Sequence, residues 1–164
     1  MKILLYFLQY IFVRVLFFIL EFLPLSYSKK FGSFIFRTFG KFSSADKTAM
    51  NNCKFVFPKL EKNKIREIID ESWNNIGMTI SELLKFKNLI NKRKITLSGL
   101  SNIKDLKEKK QQAIYISIHQ SNWEILVPML DRLNLQIGGI YRHINNFFLD
   151  KLILKIRKNT LLSD

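Results

Sequence analysis

The chain has 164 residues, enough for one domain with a core of its own. Lys and Arg total 27 against 13 Asp and Glu, a formal net charge of +14, which favours anionic partners: phospholipid headgroups, phosphorylated lipids, acidic proteins or nucleic acid. The single cysteine, Cys53, excludes an internal disulfide and a thiolate metal cluster, and two histidines, His119 and His143, leave few candidates for acid–base chemistry.

From Ile3 to Leu23 the chain is almost wholly apolar, and Pro24 stops the run. At ~1.5 Å rise per residue such a helix is long enough for a ~30 Å hydrocarbon core. Gln9, Arg14 and Glu21 interrupt it; Arg14, near the middle, costs roughly 2.5–3.5 kcal/mol on insertion scales. Arg14 and Glu21 lie two turns apart and share a helix face. A secretory signal fits poorly, because the charged middle is wrong for its apolar region and no small-residue cleavage site follows. Phe31, Phe34, Ile35, Phe36 and Phe39 then alternate with Lys29, Lys30, Arg37 and Lys41. Rings with flanking cations are what a helix lying in the headgroup region needs. Residues 1–42 therefore read as a membrane anchor plus an interfacial helix.

Residues 43–92 read as a helical segment. A short helix over 44–56 ends at the Phe57–Pro58 boundary. A longer one, from about Lys62 to Lys87, carries Ile65, Ile68, Ile69, Trp73, Ile76, Ile80, Leu83 and Leu84 at helical spacing, the pattern of a packing stripe.

Beyond Lys92 the pattern changes. Ile95–Leu97 reads as a short strand broken by Gly99, and 102–110 as a polar helix. Ala113–Ile118 is a continuous apolar run, as in a buried strand. A helix near Ser121–Leu133, a strand near Gln136–Tyr141 and a helix near Asn146–Arg157 follow. Alternating strands and helices predict an α/β layer with a mainly parallel sheet over 93–164, behind the helical front.

The stretch richest in chemistry is Ile118-His119-Gln120-Ser121-Asn122-Trp123-Glu124. His119 falls at the carboxyl end of a predicted strand and Glu124 in the first turn of the next helix, the edge where ligands collect in open α/β sheets. A carboxylate folded back onto the imidazole would fix one tautomer and stabilise the imidazolium. Ser121-x-x-Glu124 is equally a capping box, and His119 equally a core histidine at a strand end. Cys53 has no cue for activation, His143 has no carboxylate at comparable spacing, and Ser117 and Ser121 lack a nucleophile elbow. No phosphate-binding loop, dinucleotide fingerprint or metal-ligand cluster is present. Nucleic-acid binding would rest on charge alone.

His119 through Glu124 resembles the HX4(D/E) block of glycerolipid and lysophospholipid acyltransferases. The Asn122-Trp123-Glu124 ending is similar to the lipid A biosynthesis lauroyl/myristoyl acyltransferase family. Asn51 to Pro58 and the helix carrying Trp73, Gly77 and Glu82 lie where that family has similar features. Tyr141-Arg142-His143-Ile144-Asn145-Asn146-Phe147-Phe148-Leu149-Asp150 resembles its next block, with Phe147 in place of the usual Pro, and Arg157 matches a further basic position. The resemblance implies an enzyme of the bacterial inner membrane, at its cytoplasmic face, working without a cofactor. The donor would be a fatty acyl thioester on acyl carrier protein, and the acceptor a hydroxyl on a phosphorylated glycolipid, the lipid A precursor. His119 would be the general base and Glu124 its orienting partner, with turn amides near Ser121–Asn122 as donors to the oxyanion. Arg142, Asn122 and Arg157 would bind substrate, the arginines through phosphate. An acyl-glycerol-phosphate acceptor is the nearest rival, and a non-catalytic membrane-surface fragment the rival of another class. Members of the family continue with further strands and helices, so the resemblance also implies that 93–164 is a truncated catalytic domain.

Overall fold

The computed structural model describes residues 1–91, 95–108, 112–135 and 137–162. Its helices are α1 (Lys2–Phe22), α2 (Leu25–Gly40), α3 (Ser44–Val56), α4 (Lys62–Leu84), α5 (Phe86–Asn91), α6 (Ser101–Glu108), α7 (Leu126–Arg132) and α8 (Phe147–Lys158), with a 3-10 turn at Trp123–Ile125 before α7. The chain divides into two compact units, one of Arg14–Leu84 and one of Met1–Val13 with Lys85–Asp164.

The helices lie where periodicity and punctuation put them. Pro24 separates α1 from α2. The hydroxyl of Ser43 accepts from the backbone N–H of Asp46 and caps α3, and the Phe57–Pro58 junction ends it. Asn146 caps α8, its Oδ1 accepting from the N–H groups of Phe148 and Leu149. Asn134, at φ 57°, takes the left-handed position that closes α7.

The unit of residues 14–84 is built on the antiparallel pair α2–α4. Its seam rests on small residues: Ser28 and Gly32 meet Ser81 and Gly77, and Gly40 makes room for the Trp73 ring. A Cβ on Gly32 would stand 2.6 Å from the carbonyl oxygen of Gly77, and one on Gly40 would run into the Trp73 ring. Only glycine lets the two backbones approach so closely. The Ser81 hydroxyl donates to the carbonyl of Ser28 at 3.0 Å, and Lys29–Glu82 and Ser33–Asn74 join the flanks. α3 is tied on by Asp46, which accepts two bonds from the Arg66 guanidinium at 2.8 and 2.9 Å and one from Trp73 Nε1 at 2.8 Å. These donors hold the Asp46 carboxyl below its ordinary value, the Arg66 bonds foremost, and the same bonds raise Arg66. The apolar stripe of α4 is only partly the core: Ile65, Ile69 and Leu83 are buried, while Ile68 is exposed.

In the other unit Phe86, Leu89, Leu130 and Leu152 form a small core. The Arg132 guanidinium lies 4.8 Å over the Phe86 ring and donates to the carbonyl of Thr160 at 2.8 Å. Asn146 gives Gln9 a partner: its Nδ2 donates to the Tyr6 carbonyl at 2.9 Å and to Gln9 Oε1 at 3.0 Å, while Phe148 packs on Phe7 and Tyr10.

The expected α/β fold is not what forms. Among the described residues there is no strand. Ile95–Leu97, Ala113–Ile118 and residues 137–141 carry no ladder, and Ile114, Ile116 and Ile118 are 91%, 90% and 69% exposed; Gln136 lies outside the described residues. The physical reason is that a strand is not a local object. An apolar, β-branched run has the propensity, but it becomes a strand only when a neighbour takes its N–H and C=O groups. These three segments do not supply that neighbour to one another.

Candidate active site

His119 follows the exposed run 112–118 rather than closing a buried strand, and is itself exposed. A bond from the Gln120 amide to the Ile118 carbonyl at 2.8 Å turns the chain, and Ser121, at φ 50°, carries the left-handed backbone that leads into the 3-10 turn. Asn122 is the residue before that turn, and Trp123 brings its ring to 5.0 Å from the His119 imidazole.

Glu124 is not hydrogen-bonded to His119. Its side chain, 12% exposed, takes a two-bond fork from Arg157 of α8, Nε to Oε2 at 2.9 Å and Nη2 to Oε1 at 2.6 Å. The bond to Glu124 is the first cause of a raised Arg157 pKa, so the guanidinium is charged at every ordinary pH. Two positions singled out for different roles, orienting carboxylate and substrate cation, are therefore partners of each other.

Arg157 also stands 5.9 Å over the Tyr141 ring. The Tyr141 hydroxyl oxygen lies 3.0 Å from His143 Nδ1, and that nitrogen lies 2.8 Å from Asp150 Oδ2. Asp150 Oδ1 accepts from the Ile144 amide at 2.9 Å; that bond first, and His143 second, lower its pKa. An ionised Asp150 can only accept, so Nδ1 carries the proton. Burial, then the nearby Asp150 charge, raises the Tyr141 hydroxyl. Arg142, between them in sequence, is exposed.

Sequence spacing missed the His143–Asp150 pair because it sought a carboxylate five residues on. The turn into α8 makes a spacing of seven work. The available signal was Asn146 as a helix cap with an acid in the first turn after it. Cys53 is half-buried in α3, and among the described residues no three His, Cys, Asp or Glu side chains converge as metal ligands.

Chemically, the cluster offers an exposed imidazole seated on an indole, a second imidazole oriented by a carboxylate, and a guanidinium locked between Glu124 and an aromatic face. No curated protein sequence and no solved structure matches the chain. The family model described as bacterial lipid A biosynthesis acyltransferase matches residues 1–162, from the apolar first helix through Arg157. With nearly its whole length matched, the chain belongs to the bacterial lipid A biosynthesis acyltransferase family.

Proposed function

We propose that the chain acts in moving a fatty acyl group from an acyl carrier protein thioester to a hydroxyl of a phosphorylated lipid A precursor, at the cytoplasmic face of the bacterial inner membrane. The observation that carries this reading is the family match over 1–162, which includes both the His119–Glu124 block and Arg157. His119 takes the hydroxyl proton as the oxygen attacks the thioester carbonyl, and the sulfur leaves as the thiol. Glu124 is the partner of that imidazole in the reacting complex. Its fork with Arg157 is the resting arrangement, and an incoming phosphate is a ligand of the kind that draws a guanidinium away from a carboxylate. Arg142 and Asn122 line the approach of the acceptor.

Membrane residence is supported by α1, a 21-residue helix of mean hydropathy 2.3 with only 17% of its apolar window buried. On α2, Tyr27 and Phe34 are exposed beside the exposed cations Lys30 and Arg37, as an interfacial helix requires, while Lys41 just past its end pairs with Asp70 of α4 at 3.3 Å. Residues 1–42 thus serve as anchor and interfacial helix, 43–92 as the helical segment, and 93–164 as the part that carries the reacting groups.

A second reading, a membrane-surface protein without catalysis, is favoured by one feature: among the described residues no carboxylate is bonded to His119, which stands exposed. The test separates the two. Detergent-solubilised residues 1–164 and His119→Ala are supplied with labelled acyl carrier protein thioester and a tetra-acylated lipid A precursor. Transfer that disappears in the variant supports the acyltransferase reading with His119 as base. Transfer that persists removes His119 from the mechanism. Lipid binding without transfer in either protein favours the second reading.

A further inference from the structure

The loop between α3 and α4 carries an apolar cluster that nothing in its own unit covers. Phe55 is 88% exposed, Val56 62%, Phe57 51% and Leu60 37%. The Leu60 amide donates to the Phe57 carbonyl at 3.0 Å, closing a turn whose second residue is Pro58. The rings are therefore presented from a rigid bend. Exposed cations bracket them: Lys54 precedes Phe55, Lys59 parts Pro58 from Leu60, and Lys62 opens α4, against Glu61 alone. Lys64 is already paired with Glu67.

We propose that this α3–α4 tip is a second membrane contact, entering the headgroup region of an anionic bilayer with Phe55, Val56, Phe57 and Leu60 while Lys54, Lys59 and Lys62 meet lipid phosphates. The chemistry chooses the occupant. The core of a protein–protein interface is depleted in charge, whereas membrane-surface segments interleave rings and cations, as here. A net charge of +14 points the same way. Ser28 meets Ser81 and Gly40 meets Trp73, so α2 and α4 run antiparallel and the tip lies at the end of the pair away from Pro24. The proposal rests on α1 being embedded, so that reading needs its own reporter.

The single native cysteine makes the test clean. In the full chain with Cys53→Ser, reconstituted into vesicles rich in phosphatidylglycerol, a nitroxide is attached at one of three introduced cysteines: Phe57→Cys at the tip, Phe18→Cys in α1, or Asn75→Cys on the exposed side of α4. Spin-label collision with oxygen and with a water-soluble nickel chelate reports immersion. The expected result is oxygen-rich, chelate-poor collision at 57 and 18, by about tenfold over 75, with the signal at 57 lost when Lys54, Lys59 and Lys62 become Gln or when the vesicles are zwitterionic. A label at 57 as wet as the one at 75, while 18 stays immersed, overturns the tip contact and leaves α1 standing. Wet labels at both 57 and 18 overturn both readings. Dipolar broadening at 57 would mean a second copy covers the tip, and immersion indifferent to lipid charge would refute the anionic surface as its partner.

Discussion

Gly77→Ala is the sharpest test of how residues 14–84 hold together. A Cβ there would stand 2.5 Å from the carbonyl carbon of Gly32 and 2.6 Å from the amide nitrogen of Ser33. Both are backbone atoms in the middle of α2, so no side chain can turn away. Restoring an ordinary contact near 3.4 Å requires the helices to part by roughly 1 Å, and a gap of that size forfeits a quarter to a half of each dispersion contact along the seam. Overpacking of this kind costs about 1–3 kcal/mol. The Ser81 hydroxyl, one turn away, lies 3.0 Å from the Ser28 carbonyl and 2.9 Å from that of Gly77 on its own helix, so it stays bonded within α4 when the helices part and adds little. Against these stands a gain of about 1 kcal/mol from replacing glycine inside a helix. The net is a loss of up to about 2 kcal/mol. Urea unfolding of the solubilised chain, followed by tryptophan fluorescence in a Trp123→Phe background so that Trp73, whose ring seats on Gly40, is the one reporter, reads it directly. Asn75→Ala, on an exposed turn of the same helix, supplies the propensity gain without the clash and is expected to be neutral or stabilising. A Gly77→Ala protein as stable as the Asn75→Ala one would refute the close-packed seam.

Asp46→Asn keeps one acceptor oxygen but removes the charge and turns the other, which takes the Arg66 Nη1 bond, into an amide donor facing the guanidinium; with Arg66 30% exposed and still paired with Asp70, the expected cost is about 2–3 kcal/mol in the same urea assay. Because folding lowers the Asp46 pKa, its contribution is fully present above the ordinary value of 3.8 and is lost as pH falls from there through the folded value. The stability gap between wild type and variant should therefore be constant near neutrality and close in acid; a gap that widens in acid would contradict the assignment. Arg157→Lys keeps the charge but not the fork on Glu124, and should lower stability by about 1 kcal/mol, allowing for the partial exposure of Arg157. Glu124→Gln should give a similar loss, and the double variant less than the sum, as a mutant cycle would show. The Asp150 carboxyl should titrate below 3.8 by carbon NMR, and should rise only part of the way in His143→Ala, since the Ile144 amide is the larger cause; a full return to 3.8 would shift the credit to the imidazole.

Read alone, the sequence was a good guide to whatever depends on neighbours in the chain. Pro24, Ser43, Pro58 and Asn146 mark helix boundaries because capping and proline geometry act over a few residues. The long apolar run of α1 and the ring–cation alternation of α2 are properties of composition. The His119–Glu124 block carried the family resemblance, and the family match agrees with it. What depends on distant pairing was not legible. Ala113–Ile118 has every local mark of a buried strand and is exposed, since among the described residues no strand lies beside it to complete its hydrogen bonds. Gly32 and Gly77, 45 positions apart, look unremarkable until the backbones of α2 and α4 meet at them. Glu124 was paired on paper with the histidine five residues before it. In three dimensions it belongs to Arg157, which lies 33 residues on, while Asp150 serves the other histidine. Caps and periodicity are written within a turn of the chain; the choice of partner for a charge, a strand edge or a glycine is made by whichever group folding brings within reach.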